Sequence, residues 1–105
     1  MYQIIITEPA SNDITSIVNY ISNILKNPSA AESHLTGIEK GIKELQEMPM
    51  KYQKAADDYL SKKNIRCFTV KNYYIFYRVD EKEKSVVIIR VLYASRNWAF
   101  ILTND

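Results

Sequence analysis

The chain has 105 residues, of which 47% are hydrophobic and 25% are charged, with two glycines and three prolines. This length and composition predict a single domain over residues 1–105 and exclude collagen-like, low-complexity and disordered proteins. The lone cysteine, Cys67, and the lone histidine, His34, exclude an internal disulfide and a zinc site built from thiols and imidazoles. We therefore expect no metal and no cofactor.

The sequence shows no membrane span and an uneven distribution of charge. No apolar run approaches the roughly 20 residues that cross a bilayer, and no secretory signal follows Met1, so we expect a soluble, cytoplasmic protein without a membrane partner. The net charge of +2 divides into −3 over residues 1–60 and +5 over residues 61–105. The basic C-terminal half is typical either of a site for an acidic partner or polyanion, or of an ordinary solvated cationic surface.

The first half of the chain predicts a strand followed by two helices. Residues 2–6 are rich in isoleucine, and residues 7–9 have the composition of a helix start. Hydrophobic residues then recur at spacings of three and four in two stretches, which are separated by residues 27–28 and end at Pro49. Because so few residues join them, the two helices are predicted to form an antiparallel hairpin.

The last third of the chain predicts three strands. Residues 65–70, 73–79 and 86–93 are rich in isoleucine, valine, phenylalanine and tyrosine. Bulky side chains on both faces of the second strand predict that it is central in the sheet. Residues 50–64 are polar and aperiodic, which predicts a loop, and residues 97–102 are predicted to form a short helix or an edge strand.

Helices that precede a run of strands predict an α+β fold. The expected architecture has an N-terminal strand, an antiparallel two-helix hairpin packed on a mostly antiparallel four-stranded sheet, and a short C-terminal segment. One face of the sheet is then covered by the hairpin, and we expect the other face to be open to a ligand.

The motifs of common enzymes are absent from this sequence. His34 lies among apolar residues of the second predicted helix, which favours a half-buried packing role over a catalytic triad. Cys67 lies in the middle of a predicted strand, which favours a core role over a nucleophilic one. The sequence contains no glycine-rich phosphate loop, paired-carboxylate signature or HExxH motif. Most enzyme classes are therefore disfavoured.

Basic and aromatic side chains on the predicted strands are the remaining chemical feature. Arginine and lysine can hold phosphates and tyrosine can stack on bases, as a site for single-stranded RNA requires. Such cations could also promote RNA cleavage without a metal, if a nearby group accepts a proton. For a ribonuclease, the candidate catalytic residues are Arg66, Lys71, Tyr74, Arg78 and Arg96. We expect them to converge on the open face of the sheet, although arginines on strands often pair with carboxylates instead.

Short sequence motifs in the last third of the chain resemble those of a known superfamily. An aromatic strand ends in Phe-Tyr-Arg-Val at residues 76–79, and Ile-Ile-Arg-Val-Leu-Tyr follows at residues 88–93 with Arg96 close behind. Together with the leucine and proline of residues 45–49 and the order of the elements, these motifs make the chain resemble the RelE/ParE superfamily over essentially its whole length. Its members are the toxins of bacterial type II toxin-antitoxin modules. The motifs of this chain are closer to those of the ParE branch.

The resemblance implies a small toxin whose inhibition of growth is neutralised by a cognate antitoxin, in a complex such as a heterotetramer. RelE-like members cut mRNA on the ribosome, and ParE-like members poison DNA gyrase. The resemblance aligns Tyr74, Ser95 and Phe100 with positions at which the ribonucleases of the superfamily carry an arginine, the start of a double arginine and an acid/base residue. We therefore favour a ParE-like gyrase poison. The alternatives are a ribosome-dependent, metal-independent mRNA endoribonuclease, which would make the protein an enzyme, and a degenerate, non-toxic member that only binds its antitoxin.

The resemblance also implies that the antitoxin wraps the hairpin and the sheet. Acidic antitoxin side chains are expected to meet the basic C-terminal half. The candidate partner-binding residues are Arg90, Tyr93, Arg96, Trp98 and Phe100. Trp98 could equally anchor the core, and we favour that role.

Overall fold

Residues 1–103 are described by the computed structural model, and this part of the chain forms four strands and four α-helices. In chain order the elements are β1 (Gln3–Ile6), α1 (Glu8–Asn19), α2 (Pro28–Glu44), α3 (Asp58–Lys62), β2 (Arg66–Val70), β3 (Tyr73–Asp80), β4 (Ser85–Tyr93) and α4 (Trp98–Thr103). A π-helical segment, Tyr20–Ile24, continues α1. The predicted α+β fold is confirmed.

The four strands form one sheet in the order β1-β4-β3-β2. Strand β1 runs parallel to β4, and the other two pairs are antiparallel. Strand β3 is central, as its two bulky faces predicted. The pairing of β3 with β4 shifts from Phe76↔Arg90 to Tyr77↔Ile88, so that Ile89 is an extra residue on β4. Such a bulge bends the strand and re-aims the side chains that follow it.

Side-chain caps fix where the helices of the hairpin begin. The Thr7 hydroxyl oxygen accepts a hydrogen bond from the backbone N–H of Ala10 and donates one to the carbonyl of Ile88, which ties the start of α1 to the sheet. The Asn27 side chain accepts from the backbone N–H of Ala30 at the start of α2. The predicted second helix extended to Pro49, whereas α2 ends at Glu44 and is followed by a tighter turn with bonds from residue i+3 to residue i.

The hairpin packs on one face of the sheet and forms the larger core with it. The most deeply buried side chains of this core include Ile38, Leu45, Ile75, Tyr77 and Ile88. Helix α2 approaches β2 so closely that a Cβ atom at Gly41 would lie 3.0 Å from Cε2 of Phe68. This contact explains a glycine in the middle of a helix, where glycine is otherwise costly.

The opposite face of the sheet is covered around Phe76 and Leu92, so the expectation of an open face was wrong for this region. Phe76 and Leu92 are each 1% exposed and pack with Leu60 of α3 and Leu102 of α4 in a second, smaller core. The segment 50–64, predicted to be a loop, contains α3. A sheet with apolar side chains on both faces has to be covered on both, and two helices of five and six residues supply that cover.

Candidate functional site

A buried ion pair fastens α1 to β4. The Arg90 guanidinium donates from Nε to Asp13 Oδ2 at 2.7 Å and from Nη2 to Asp13 Oδ1 at 2.9 Å. The backbone N–H of Val91 donates to Asp13 Oδ2 at 3.0 Å. The two side chains are only 14% and 11% exposed. Arg90, a candidate partner-binding residue, therefore has a structural role inside the protein, while contact with a partner remains a prediction.

Two of the five candidate ribonuclease residues lie together at one end of the sheet. Arg66 and Arg78 line a cleft of about 510 Å³ with Lys54 and Asn64. Arg66 Nη1 donates to the carbonyl of Tyr52 at 2.7 Å, which holds its guanidinium in place. Two acidic residues, Asp80 and Glu81, also line this cleft. The cleft therefore carries charges of both signs.

The other three candidates lie elsewhere. Lys71 follows β2 five residues after Arg66, which places their Cα atoms roughly 16 Å apart along the strand. Tyr74 lies on the face covered by α4, with its ring 6.4 Å from that of Trp98. Arg96 lines a third cleft, near the end of β4. The predicted convergence of these five residues on one concavity was wrong, because strand alternation and strand length send them to different faces and ends of the sheet.

The concavity beside Tyr74 is small and apolar. It has a volume of about 170 Å³. Its lining residues are Ala55, Ala56, Cys67, Tyr74, Phe76 and Trp98. Burial raises the pKa of the Cys67 thiol to about 11, so this side chain is a neutral packing group, as the sequence predicted. No cation lines this concavity, where an oxyanion or phosphate would need one.

The raised pKa of Cys67 makes stability depend on alkaline pH. Above the ordinary thiol pKa of 9.0, the unfolded chain loses a proton that the folded chain keeps until about pH 11, so stability falls as the pH rises. After allowance for the partial exposure of Cys67, we expect a loss of about 1 kcal/mol between pH 8 and about pH 10. Urea unfolding at both pH values measures it. Cys67→Ala should remove this part of the loss, and an unchanged pH dependence in that variant would contradict the prediction.

A chain of polar side chains links α2 to the end of the sheet. His34 Nδ1 lies 2.7 Å from the Tyr73 hydroxyl, and the Tyr73 ring lies 5.0 Å from that of Tyr93. Burial raises the pKa of Tyr73 to about 12, and burial together with Lys71 lowers the pKa of His34. Both groups are therefore neutral near pH 7. His34 is half-buried, as the sequence predicted, and helps to hold Tyr73 in place.

The remaining candidate partner-binding residues are divided between two surfaces. Trp98 is half-buried and packs 5.7 Å from the Phe76 ring, in the core role that the sequence favoured. Phe100 is 64% exposed on α4. Tyr93 and Arg96 line a cleft of about 310 Å³, to which α1 contributes a wall. The sequence did not mark the other residues of this cleft from the first helical segment, which are Asp13, Ser16 and Ile17 of α1 and Tyr20 of the π-helical segment.

The described part of the chain shows neither a cluster of metal ligands nor a membrane-spanning helix. Among residues 1–103, no three side chains of histidine, cysteine, aspartate or glutamate are grouped so that they could hold a metal ion. None of the helices within the same residues has the length and apolar character that crossing a bilayer requires.

Most of the chain matches the model of one known protein family. The model of the ParE toxin of type II toxin-antitoxin systems, parDE, matches residues 4–98. The chain belongs to the ParE toxin family. The sequence resemblance to the RelE/ParE superfamily, and to its ParE branch in particular, is therefore confirmed. No curated protein sequence matches this ParE-family chain.

Solved structures share the fold of this ParE-family chain at low sequence identity. A chain of the chromosomal ParDE system from P. aeruginosa has a TM-score of 0.72 and 20% identity, covering 89% of this chain and 96% of that one. The RelBE2 toxin-antitoxin complex from Mycobacterium tuberculosis gives a TM-score of 0.63, 18% identity and coverages of 88% and 96%. The intact E. coli RelBE complex gives a TM-score of 0.61 and 16% identity, and the match covers 91% of this chain and 100% of that one. At these identities the similarity shows a common fold.

Proposed function

We propose that this ParE-family chain is the toxin of a toxin-antitoxin module, that a cognate antitoxin neutralises it, and that it inhibits growth by binding DNA gyrase. The match to the ParE toxin family over residues 4–98 supports the toxin assignment. The observation that carries the choice of mechanism is the apolar concavity beside Tyr74. We infer that the protein acts by binding its target and does not cut RNA.

Metal-independent cleavage of RNA needs cations that stabilise charge on the phosphorus and a group that moves a proton. The concavity beside Tyr74 offers two alanines, three aromatic rings and a cysteine whose pKa is raised to about 11. Arg66 and Arg78 line a separate cleft together with two carboxylates. The separation of Lys71 from Arg66 along β2 leaves no common place for one phosphate between them. This distribution supports a binding toxin over a ribonuclease.

The proposed antitoxin is a protein with acidic side chains. Related chains are found in complexes named ParDE and RelBE, which supports a protein partner of this kind. The exposed side chains of Arg96 and Phe100 and the half-exposed ring of Tyr93 are our candidates for its contacts. Arg90 is a weaker candidate because its guanidinium already donates two hydrogen bonds to the carboxylate of Asp13.

Induced expression of the chain, alone and together with the neighbouring open reading frame, tests the proposal. We expect the chain alone to arrest growth, with DNA synthesis falling before protein synthesis in pulse labelling, and the neighbouring protein to restore growth. The purified chain should inhibit supercoiling by gyrase. Because a binding toxin needs no phosphate-stabilising cation at Lys71, the variant Lys71→Ala should remain toxic.

Two results would redirect the assignment. Protein synthesis that falls first, with shortened transcripts and loss of toxicity in Lys71→Ala, would favour the ribonuclease alternative. A chain that binds the neighbouring protein but leaves growth unchanged would favour the degenerate, non-toxic alternative. Either result would overturn gyrase binding as the mechanism.

A further inference from the structure

The cleft between α1 and the end of β4 contains two of the proposed antitoxin contacts, Tyr93 and Arg96, together with residues that the proposed function does not use. It has a volume of about 310 Å³, at the lower end of the range for small-ligand sites. Ser16 of α1 and Tyr20 of the π-helical segment line the cleft together with Tyr93 and Arg96. It is distinct from the apolar concavity beside Tyr74, because none of its lining residues is shared with that concavity.

Arg96 gives this cleft an uncompensated positive charge. Its side chain is exposed, and its guanidinium makes no hydrogen bond or ion pair with residues 1–103. Asp13 is the one acidic residue that lines the cleft within these residues, and Arg90 and the N–H of Val91 already bind its carboxylate. An anion in the cleft would therefore meet a cation whose charge no residue of the described part of the chain cancels.

Two tyrosine rings line the same cleft. The ring of Tyr93 is held against Tyr73, which is itself bonded to His34, so this wall is fixed before any ligand arrives. Tyr20 is 47% exposed and makes no ring contact with the rest of the described chain. It stands at the first position of the π-helical segment, and such widened turns frequently occur at functional sites. An exposed aromatic ring at the mouth of a cleft is a surface on which a planar group can stack.

From this combination we propose that the cleft binds one nucleotide unit of a single-stranded nucleic acid. The base stacks on the tyrosine rings, the phosphate binds Arg96, and the Ser16 hydroxyl is within the same lining to donate to a phosphate or a base edge. Stacking on an aromatic ring does not require a particular base, so the site has little sequence preference. The inference goes beyond the proposed function and does not depend on gyrase as the target.

An acidic peptide fits the cleft less well, because a carboxylate would engage Arg96 and leave both tyrosine rings without a partner. The larger cleft at Arg66 and Arg78 is a poorer place for a nucleotide. It has no aromatic ring in its lining, and the carboxylates of Asp80 and Glu81 would repel a phosphate.

Fluorescence anisotropy with the purified full chain tests the site. The probes are labelled oligothymidylate and oligouridylate of about ten nucleotides, with a DNA duplex of the same length as comparison. We expect Arg96→Gln and Tyr20→Ser each to weaken binding to the single strands by at least about tenfold. Arg78→Gln is the matched control, because it removes one exposed arginine without a partner among the described residues from a different cleft. It should change the affinity by less than about twofold.

The outcomes separate the possible sources of binding. Binding of the DNA strand, the RNA strand or both, lost in Arg96→Gln and kept in Arg78→Gln, supports the site and identifies which strand it takes. Equal losses in the two arginine variants would indicate general electrostatic attraction and overturn the proposal. So would the absence of binding at millimolar protein, or tighter binding of the duplex. A chain that binds only the antitoxin through Arg96 would assign the cleft to a protein instead. Because no growth or gyrase measurement enters, failure here leaves the proposed function intact.

Discussion

Replacement of Phe76 by alanine is expected to lower the free energy of unfolding by about 4 kcal/mol, a large share of the stability of a domain of this size. The Phe76 ring is 1% exposed and packs with Leu60, Leu92 and Leu102 in the core between the sheet and its two short helices. Alanine would leave a cavity that α3 and α4 cannot close, because β3 fixes the backbone at its floor. Urea unfolding followed by circular dichroism measures the loss.

Phe100 provides a matched control for this prediction. It is the same residue type, but it lies on α4 and is 64% exposed, so Phe100→Ala should change stability by no more than about 0.5 kcal/mol. A small loss in Phe76→Ala, comparable with that of Phe100→Ala, would mean that α3 and α4 do not cover the sheet in solution. The second face would then be open, as the sequence alone had suggested.

The main architecture could be predicted because its signals are local and repeated. Three- and four-residue spacing marked the two helices of the hairpin, and runs of branched and aromatic residues marked β2, β3 and β4. Helix α3 was missed and α4 was predicted only as a short helix or an edge strand, because five or six residues contain too few turns to show a period. The two bulky faces of β3 did contain the missing information, since a strand that is apolar on both sides needs cover on both.

The candidate sites were less predictable because they depend on pairs of residues that are distant in the chain. Nothing in the first helix marks Asp13 as the partner of Arg90, 77 positions later. The cleft that contains Tyr93 and Arg96 is completed by residues of α1 and by Tyr20, which begins the π-helical segment. In the sequence, Arg66, Arg90 and Arg96 are equivalent basic residues of the C-terminal half. In the fold, one bonds to a carbonyl, one pairs with a carboxylate and one is exposed at a cleft.

Removal of one partner of the Asp13 and Arg90 pair should be the other large loss of stability. In Asp13→Ala, the guanidinium of Arg90 would remain largely buried without its carboxylate, and the N–H of Val91 would lose its acceptor. We expect the free energy of unfolding to fall by about 3 kcal/mol, since breaking a buried pair leaves a charge without compensation. Thermal and urea unfolding at neutral pH measure this loss, which should change little with added salt because the pair is shielded from solvent.

The double variant Asp13→Leu with Arg90→Met separates the effect of removing the ion pair from the effect of leaving one charge buried without its partner. It removes both charges and keeps apolar volume between α1 and β4, so it should be more stable than Asp13→Ala alone, with a coupling energy of at least about 1 kcal/mol. The coupling energy is measured against the single variants Asp13→Leu and Arg90→Met. If the stability losses of these two variants simply add up to that of the double variant, the pair does not couple the helix to the sheet. The bidentate geometry would then be a consequence of the packing of α1 on β4. Coupling of the expected size would make the pair one of its causes.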